Sequence, residues 1–208
     1  MADRLVERTL RAFSDDLASD APVPGGGSAS AFAGAMGAGL VAMVTHIAAR
    51  KSDDAELPAL IREVEFLRSA MLTLVDDDSA AYAQVAQAMR LPRMTDDEKR
   101  ERSARIQAAL ARAAYVPLEL AKASRALLDA CERGLPRAPA AAISDIGVGA
   151  LLAEAALRGA AMNVMINLAS LKDADEVKAL SEELDQVVDG AAAQTKRITD
   201  FVESRIAR

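Results

Sequence analysis

The chain has 208 residues, of which 51% are hydrophobic and only 3% aromatic, with no Trp. A net charge of −6 argues against a general nucleic-acid binder, which normally carries a basic excess. A single cysteine, Cys131, and a single histidine, His46, exclude an internal disulfide and a multi-Cys or multi-His metal site, so we expect no metal. The N-terminal "MADRLVERTL" carries charges where a signal peptide has its apolar core, which predicts a cytoplasmic protein.

The sequence predicts helices almost throughout and no strand, since it is rich in Ala, Leu, Glu and Arg and its apolar residues recur at steps of three and four. No linker long enough to separate domains interrupts the pattern. We therefore predict one all-α domain over residues 1–208, a bundle of long helices. The predicted helices cover roughly residues 3–19, 27–50, 53–90, 95–133, 144–171 and 173 to the C-terminus.

Capping residues mark the predicted helix starts. Boxes of an N-cap and an acid three residues later are expected at Asp53/Glu56 and Thr95/Glu98, and Asp173 and Glu176 cap the last helix. Ser28 and Ser144 are expected to cap the two least charged helices. Pro117 lies inside the 95–133 helix, which it should kink or break.

The long helices carry apolar stripes typical of a bundle. The two most apolar helices, from 27 and from 144, should be central. The stripes comprise Leu60, Val64, Leu67, Met71 and Leu74; Ile106, Leu110, Ala113 and Leu120; and Val177, Leu180, Leu184, Val187, Ala191, Ile198 and Val202.

The segment from residue 22 to 48, "PVPGGGSASAFAGAMGAGLVAMVTHIA", has no charged residue. Its length would cross a bilayer, but its Gly, Ala, Ser and Thr give little transfer free energy into lipid, so we expect a buried helix and no membrane contact. Gly34, Ala38 and Ala42 make a flat face for close packing. Gly25, Gly26 and Gly27 form either a plain turn or a turn whose N–H groups meet an anion.

Asp78 interrupts an apolar stripe. At about 100° per residue, it falls within the arc of Leu74, Tyr82 and Val85, whereas Asp76 points to the opposite side and is expected to be solvated. A carboxylate on the buried face has its pKa raised by desolvation, as in a general acid or base. A solvated position at the edge of the buried helix face, or a structural ion pair, would explain the same pattern.

The helix from 145 carries a second polar set. Glu154 and Arg158 are spaced for a solvated ion pair. Asn163 and Asn167, on roughly the opposite face, either bond to nearby backbone or line a polar pocket. Asp145 suits the helix dipole. His46 is expected to be a satisfied core or interface histidine, and Cys131 to be inert.

Three segments resemble the cyclodeaminase/cyclohydrolase family in order and spacing: "PVPGGGSASAFAGAMGAGLVAMV", "LVDDDSAAYAQVAQAMRLPRMTDDEK" and "ISDIGVGALLAEAALRGAAMNVMINL". The resemblance implies an all-helical homodimer with a folate site between helices. It implies a catalytic role for Asp78, with Asp145 as a second anion or orienting group. Gly25 to Gly27, Ser28, Lys51 and Asn163 become candidate substrate-binding residues.

The resemblance implies hydrolysis of 5,10-methenyltetrahydrofolate to 10-formyltetrahydrofolate, with no cofactor beyond the folate. The close alternative is cyclodeamination of 5-formiminotetrahydrofolate with release of ammonia. A non-catalytic, folate-binding or structural helical dimer is an alternative of another class. The chain departs from the family at "HIAARK", residues 46–51, and at "RAPAAA", residues 137–142. Lys51, Arg50 or Arg158 could meet the glutamyl carboxylates of folate.

Overall fold

The computed structural model describes residues 4–207, and within this range it is all helical with no strand, which confirms the predicted fold class. Three short 3₁₀ turns accompany the α-helices. The helices are α1 (Leu10–Leu17), α2 (Gly26–Ala49), α3 (Leu57–Met89), α4 (Asp96–Gly134), α5 (Ile143–Leu168), α6 (Ala174–Val188) and α7 (Ala191–Ile206).

Helices α2 and α5 pack antiparallel and very closely. A Cβ atom on Gly37 would lie 2.9 Å from the carbonyl oxygen of Gly149, and one on Gly149 would lie 2.9 Å from Val41. At the other end of the pair, Gly26 faces Asn163. Only residues without a side chain permit this approach, so the glycines of the uncharged segment set the spacing of the two helices.

Both helices are long and apolar enough to cross a membrane by length and composition. Length and composition alone are weak evidence of a membrane span. In the most apolar stretches of α2 and α5, 56% and 50% are buried inside the protein, as in the core helix of a folded domain.

Helices α3 and α4 complete the bundle: α3 packs on α2, and α4 packs on both α3 and α5. The apolar stripes predicted from the sequence are buried or partly buried. A separate small cluster joins the last turns of α3 to α4 through Ala81, Val85, Ala88, Ala109, Leu110, Ala113 and Val116. This cluster holds the C-terminal half of α3 at a fixed distance from α4.

The predicted caps are partly right. The Thr95/Glu98 box forms with both of its hydrogen bonds, and Asp173 accepts from the N–H groups of Asp175 and Glu176. The Asp53/Glu56 box is wrong, because Asp54 accepts the Glu56 N–H at 2.9 Å and also binds Arg137.

The Ser144 cap is also wrong. Helix α5 begins at Ile143, directly after the 3₁₀ turn Ala140–Ala142, and no side chain caps it.

The two ends of the chain differ from the predicted helices. The predicted final helix is two helices, because Gly190 adopts φ 71°, a left-handed conformation that ends α6. The first predicted helix is a 3₁₀ turn, Leu5–Glu7, followed by α1, which Thr9 caps. Residue 3, where that helix was predicted to begin, lies outside the described residues. Pro117 does not break α4, which runs through it without interruption.

Candidate active site

Asp78, on α3, caps the N-terminus of α2. Its Oδ2 accepts a hydrogen bond from the N–H of Ser28 at 2.8 Å and lies 2.8 Å from the Ser28 hydroxyl. Ser28 was predicted to be the N-cap, but Gly25 occupies that position and Ser28 is the buried third residue of the helix. The carboxylate that satisfies this helix start therefore comes from a different helix.

Gly27 makes room for that carboxylate. A Cβ atom at Gly27 would overlap Asp78, with both carboxyl oxygens and the carboxyl carbon inside van der Waals distance. Among the described residues, none lies within 4 Å of a Cβ atom added at Gly25, and one added at Gly26 would contact Asn163 alone. Of the three glycines, Gly27 is the one that the close approach of Asp78 requires.

The electrostatics at Asp78 combine two opposing effects. Burial raises the pKa of its carboxyl group above the ordinary value, and the hydrogen bonds from the Ser28 hydroxyl and N–H oppose this by stabilising the carboxylate. Desolvation is the larger effect. Both Ser28 bonds go to Oδ2, so Oδ1 accepts no hydrogen bond from the described residues.

A cleft of about 340 Å³ opens beside this carboxylate. Asp78 is the one charged side chain among its lining residues in the described part of the chain. The lining comprises Pro22, Val23, Gly25, Gly26, Gly27, Asp78, Ala81, Tyr82, Val85, Ala113, Asn163, Ile166, Asn167 and Ser170. The cleft thus presents a carboxylate that has no cationic partner among the described lining residues, an arrangement that suits a cationic ligand.

Two asparagines of α5 form the wall of the cleft opposite α3. Asn163 donates to the carbonyl of Gly159 at 2.8 Å, and Asn167 donates to the carbonyls of Asn163 and Ala113 at 2.7 and 2.8 Å. Sequence reasoning left two possibilities for this pair, and the structure combines them, since the side chains bond to backbone and also line the cleft.

Asp76 is not solvated, contrary to the prediction. Its Oδ1 accepts the Leu5 N–H at 2.7 Å, and its Oδ2 accepts from Nε of Arg4 at 3.0 Å. The side chain is 22% exposed. It points away from the apolar stripe as expected, but the N-terminal segment folds over that side of α3 and covers it.

Asp145 and Lys51 lie at the far end of the α2–α5 pair. Asp145 is in the first turn of α5, and Lys51 follows the end of α2. At about 1.5 Å per residue, Asp145 is roughly 27 Å along α5 from Asn163, and Lys51 roughly 37 Å along the chain direction from Gly26. Within one chain, the structure brings together Asp78, Gly25 to Gly27, Ser28 and Asn163, but neither Asp145 nor Lys51.

The remaining sequence candidates do not line this cleft. His46 is half exposed, so it is not a core residue, and its Nε2 lies 3.5 Å from a carboxylate oxygen of Glu65. Burial raises the pKa of the Cys131 thiol to about 12, which keeps it protonated. Among residues 4–207, no group of three or more His, Cys, Asp or Glu side chains is arranged to hold a metal ion.

A family model described as formiminotransferase-cyclodeaminase matches residues 9–186. The chain belongs to this family. It is 39% identical to the methenyltetrahydrofolate cyclohydrolase of Methylorubrum extorquens, over 95% of this chain and 97% of the relative. It is 32% identical to the formimidoyltransferase-cyclodeaminase of Sus scrofa, of which it spans 38%.

A solved structure of a similar protein has the same fold. The formiminotetrahydrofolate cyclodeaminase of Thermotoga maritima superposes with a TM-score of 0.83 and 26% identity, covering 95% of this chain and 97% of that one. The relatives are thus cyclohydrolase and cyclodeaminase enzymes of folate chemistry. The chain spans nearly the full length of the cyclohydrolase but only about two fifths of the bifunctional enzyme.

Proposed function

We propose that this protein hydrolyses 5,10-methenyltetrahydrofolate to 10-formyltetrahydrofolate, with Asp78 as the general base. The observation that carries this proposal is the desolvated Asp78 carboxylate, which faces the cleft with no cationic side chain among the lining residues of the described range 4–207. The methenyl bridge of the substrate is an amidinium cation, and it supplies the missing charge partner. Full-length similarity to a methenyltetrahydrofolate cyclohydrolase supports the same reaction.

The chemistry needs one group that accepts and returns a proton. Oδ2 of Asp78 is held by Ser28, which leaves Oδ1 to take a proton from the water that attacks the amidinium carbon. The tetrahedral adduct then opens at the C–N5 bond. N5 gains a proton as the adduct hydroxyl becomes the formyl C=O and loses one. The reaction as a whole consumes one water and releases one proton.

Cyclodeamination of 5-formiminotetrahydrofolate is the second candidate, and the similarity to the Thermotoga cyclodeaminase favours it. There N10 attacks the formimino carbon, and Asp78 would carry the N10 proton to the departing ammonia. The same carboxylate serves both reactions because both pass through a tetrahedral carbon between N5 and N10. No cofactor other than the tetrahydrofolate is needed, and we propose a cytoplasmic protein.

We also propose that the chain works as a homodimer through the outer face of α2 and α5. This face exposes Met36 and Met43 on α2 and Val148, Leu151 and Met162 on α5, each more than two fifths exposed. Apolar faces of this kind are commonly buried by a second copy. We expect light scattering at micromolar concentration to give a dimer mass, and a monomer mass would count against the interface.

A two-fold axis across the middle of that face would reconcile Asp145 and Lys51 with the site. Because α2 and α5 are antiparallel, the rotation places the Asp145 end of one protomer against the Asp78 end of its partner. Mixing inactive Asp78→Asn and Asp145→Asn chains would then restore about a quarter of wild-type turnover, since half of randomly formed dimers are mixed and each holds one intact site. No recovery would show that the two residues do not share a site.

The decisive experiment compares Asp78→Asn with Asp76→Asn. Asp78→Asn keeps the volume and can still accept from Ser28, but it removes the base, so turnover should fall by roughly 100- to 10,000-fold. Asp76→Asn should change turnover by less than about twofold. Both variants and the wild type are assayed on methenyltetrahydrofolate, corrected for spontaneous hydrolysis, and on formiminotetrahydrofolate, with thermal melts to confirm folding. Wild-type protein that binds folate without turning over either substrate would establish the non-catalytic alternative.

A further inference from the structure

The side-chain amide of Asn167 is fixed by two backbone carbonyls. Its Nδ2 donates to Asn163 at 2.7 Å and to Ala113 at 2.8 Å. Carbonyl oxygens only accept, so the atom between them must be the nitrogen, and both of its hydrogens are used. The orientation of the amide is therefore determined by the backbone of two different helices, α5 and α4.

Pro117 explains why the Ala113 carbonyl is free to bind Asn167. In an uninterrupted helix, the N–H of residue 117 would donate to the carbonyl of residue 113. Proline has no N–H, so that carbonyl loses its partner within α4. Asn167 supplies the missing donor from α5, and the proline in α4 thereby positions a side chain of the cleft.

The consequence concerns the other end of the amide. Oδ1 of Asn167 receives no hydrogen bond from any group within residues 4–207, and it is not among the buried unpaired atoms of that range, so it is open to solvent. Asn167 lines the same cleft as Asp78. We infer that Asn167 is a specificity residue whose Oδ1 accepts a hydrogen bond from the amino-pyrimidinone edge of the pterin ring, an inference that rests on the proposed folate function.

The chemistry of that edge fits the site. The pterin ring presents its donors, the 2-amino group and N3–H, side by side, and the cleft wall around Asn167 presents an acceptor near the C-terminal end of α5, where the helix dipole adds negative potential. Asp78 takes the cationic bridge, so Asn167 is left to recognise the ring end of the substrate. Once the ring covers Oδ1, the acceptor needs a donor from the ligand, so the site discriminates against a ligand that lacks the matching donor.

The test is a double-mutant cycle that changes one side chain, Asn167, and one ligand group, the 2-amino group of the ring. The probes are two non-reactive 5,8-dideaza analogues of folate, one with the 2-amino group and one with a methyl group in its place, titrated by calorimetry. Wild-type protein should bind the amino analogue about tenfold more tightly, as expected for one hydrogen bond. In Asn167→Leu the two affinities should be equal within about twofold. The same variant should raise KM for methenyltetrahydrofolate about tenfold with kcat within about threefold.

Pro117→Ala provides a second variant that is expected to fold, because alanine favours the helix interior. It returns an N–H to compete for the Ala113 carbonyl, so the preference for the amino analogue should shrink. If Asn167→Leu keeps the tenfold preference for the amino analogue, the inference is overturned while the folate site stands. Where Asn167→Leu does not fold, an unchanged preference in Pro117→Ala has the same meaning. Failure of wild-type protein to bind either analogue would refute the folate site and this assignment together.

Discussion

Gly27→Ala tests the close approach between α2 and Asp78. The added methyl group would overlap the carboxylate, so Asp78 must rotate away and lose its two bonds from Ser28. Overpacking of this kind costs about 1–3 kcal/mol, and the helix preference of alanine offsets up to about 1 kcal/mol. We expect a net loss of roughly 1–2 kcal/mol, which lowers Tm by roughly 2–8 °C in a chain of this length. Turnover should fall by roughly 100- to 10,000-fold, because the base no longer faces the substrate.

The matched control is Gly190→Ala, which should destabilise the protein by a similar amount without touching the site. Gly190 has φ 71°, and no atom of the described residues lies within 4 Å of an added Cβ, so alanine there is strained by its backbone alone, at about 1–2 kcal/mol. Thermal melts and steady-state turnover are measured on both variants. Full activity in folded Gly27→Ala would refute the argument that Asp78 is held in place by the absence of a side chain, and equal losses of turnover in both variants would trace the effect to stability.

Three further outcomes follow from the contacts. Asp76→Asn should lower the free energy of unfolding by about 1 kcal/mol, because it weakens the bonds to Arg4 and the Leu5 N–H, and a denaturant melt equal to wild type would contradict this. Thr95→Ala should cost about 1 kcal/mol through the lost capping box, measured the same way. Asp78→Asn should be more stable than wild type near neutral pH. The raised pKa of Asp78 means that ionisation favours unfolding, so this advantage should grow as pH rises above about 3.8 and vanish below it. An advantage independent of pH would contradict the raised pKa.

Activity should also depend on the ionisation of Asp78, but it requires the charged form, which is the form that lowers stability. The base form of Asp78 is needed, so kcat/KM should decline as the pH falls through its raised pKa, which lies above the ordinary aspartate value. A profile that stays flat down to pH values near 4 would show that another group accepts the proton.

The helical phase of the sequence predicted the fold class and most of the core, because periodicity reports which face of each helix is buried. Thr95 and Asp173 accept from N–H groups three residues further on, as the local sequence predicted, whereas the equally spaced Asp53 and Glu56 form no box because Asp54 takes the Glu56 N–H. Ser28 also shows where local capping signals fail. A serine before an apolar run looks like a cap, but the helix begins two residues earlier, at Gly26, and a carboxylate fifty residues along the chain accepts from the Ser28 N–H. The local sequence around Ser28 gives no sign of this distant carboxylate, Asp78.

In the candidate site, the sequence could likewise identify single residues but not the contacts between distant ones. Asp78 could be found from the sequence because a charge on an apolar stripe is visible in one helix. Asn167 and Pro117 could each be noticed, but their relation could not, since it depends on α4 and α5 placing one carbonyl beside one amide. The missed signal was the proline itself, because an uninterrupted helix around Pro117 leaves one carbonyl in need of a donor from elsewhere.

Asp78 has two tasks that make opposite demands, and the geometry divides them between its two oxygens. As a cap for α2 the residue accepts from N–H and O–H donors, which stabilise its carboxylate and oppose the rise of its pKa. As a general base it must accept a proton from water and hold it during turnover, which favours a raised pKa. Both donors come to Oδ2, and burial raises the pKa of the whole group. Oδ1 is left facing Gly27 and the cleft, with no hydrogen-bond partner among residues 4–207, so the residue that fixes the helix start can also exchange a proton with the substrate.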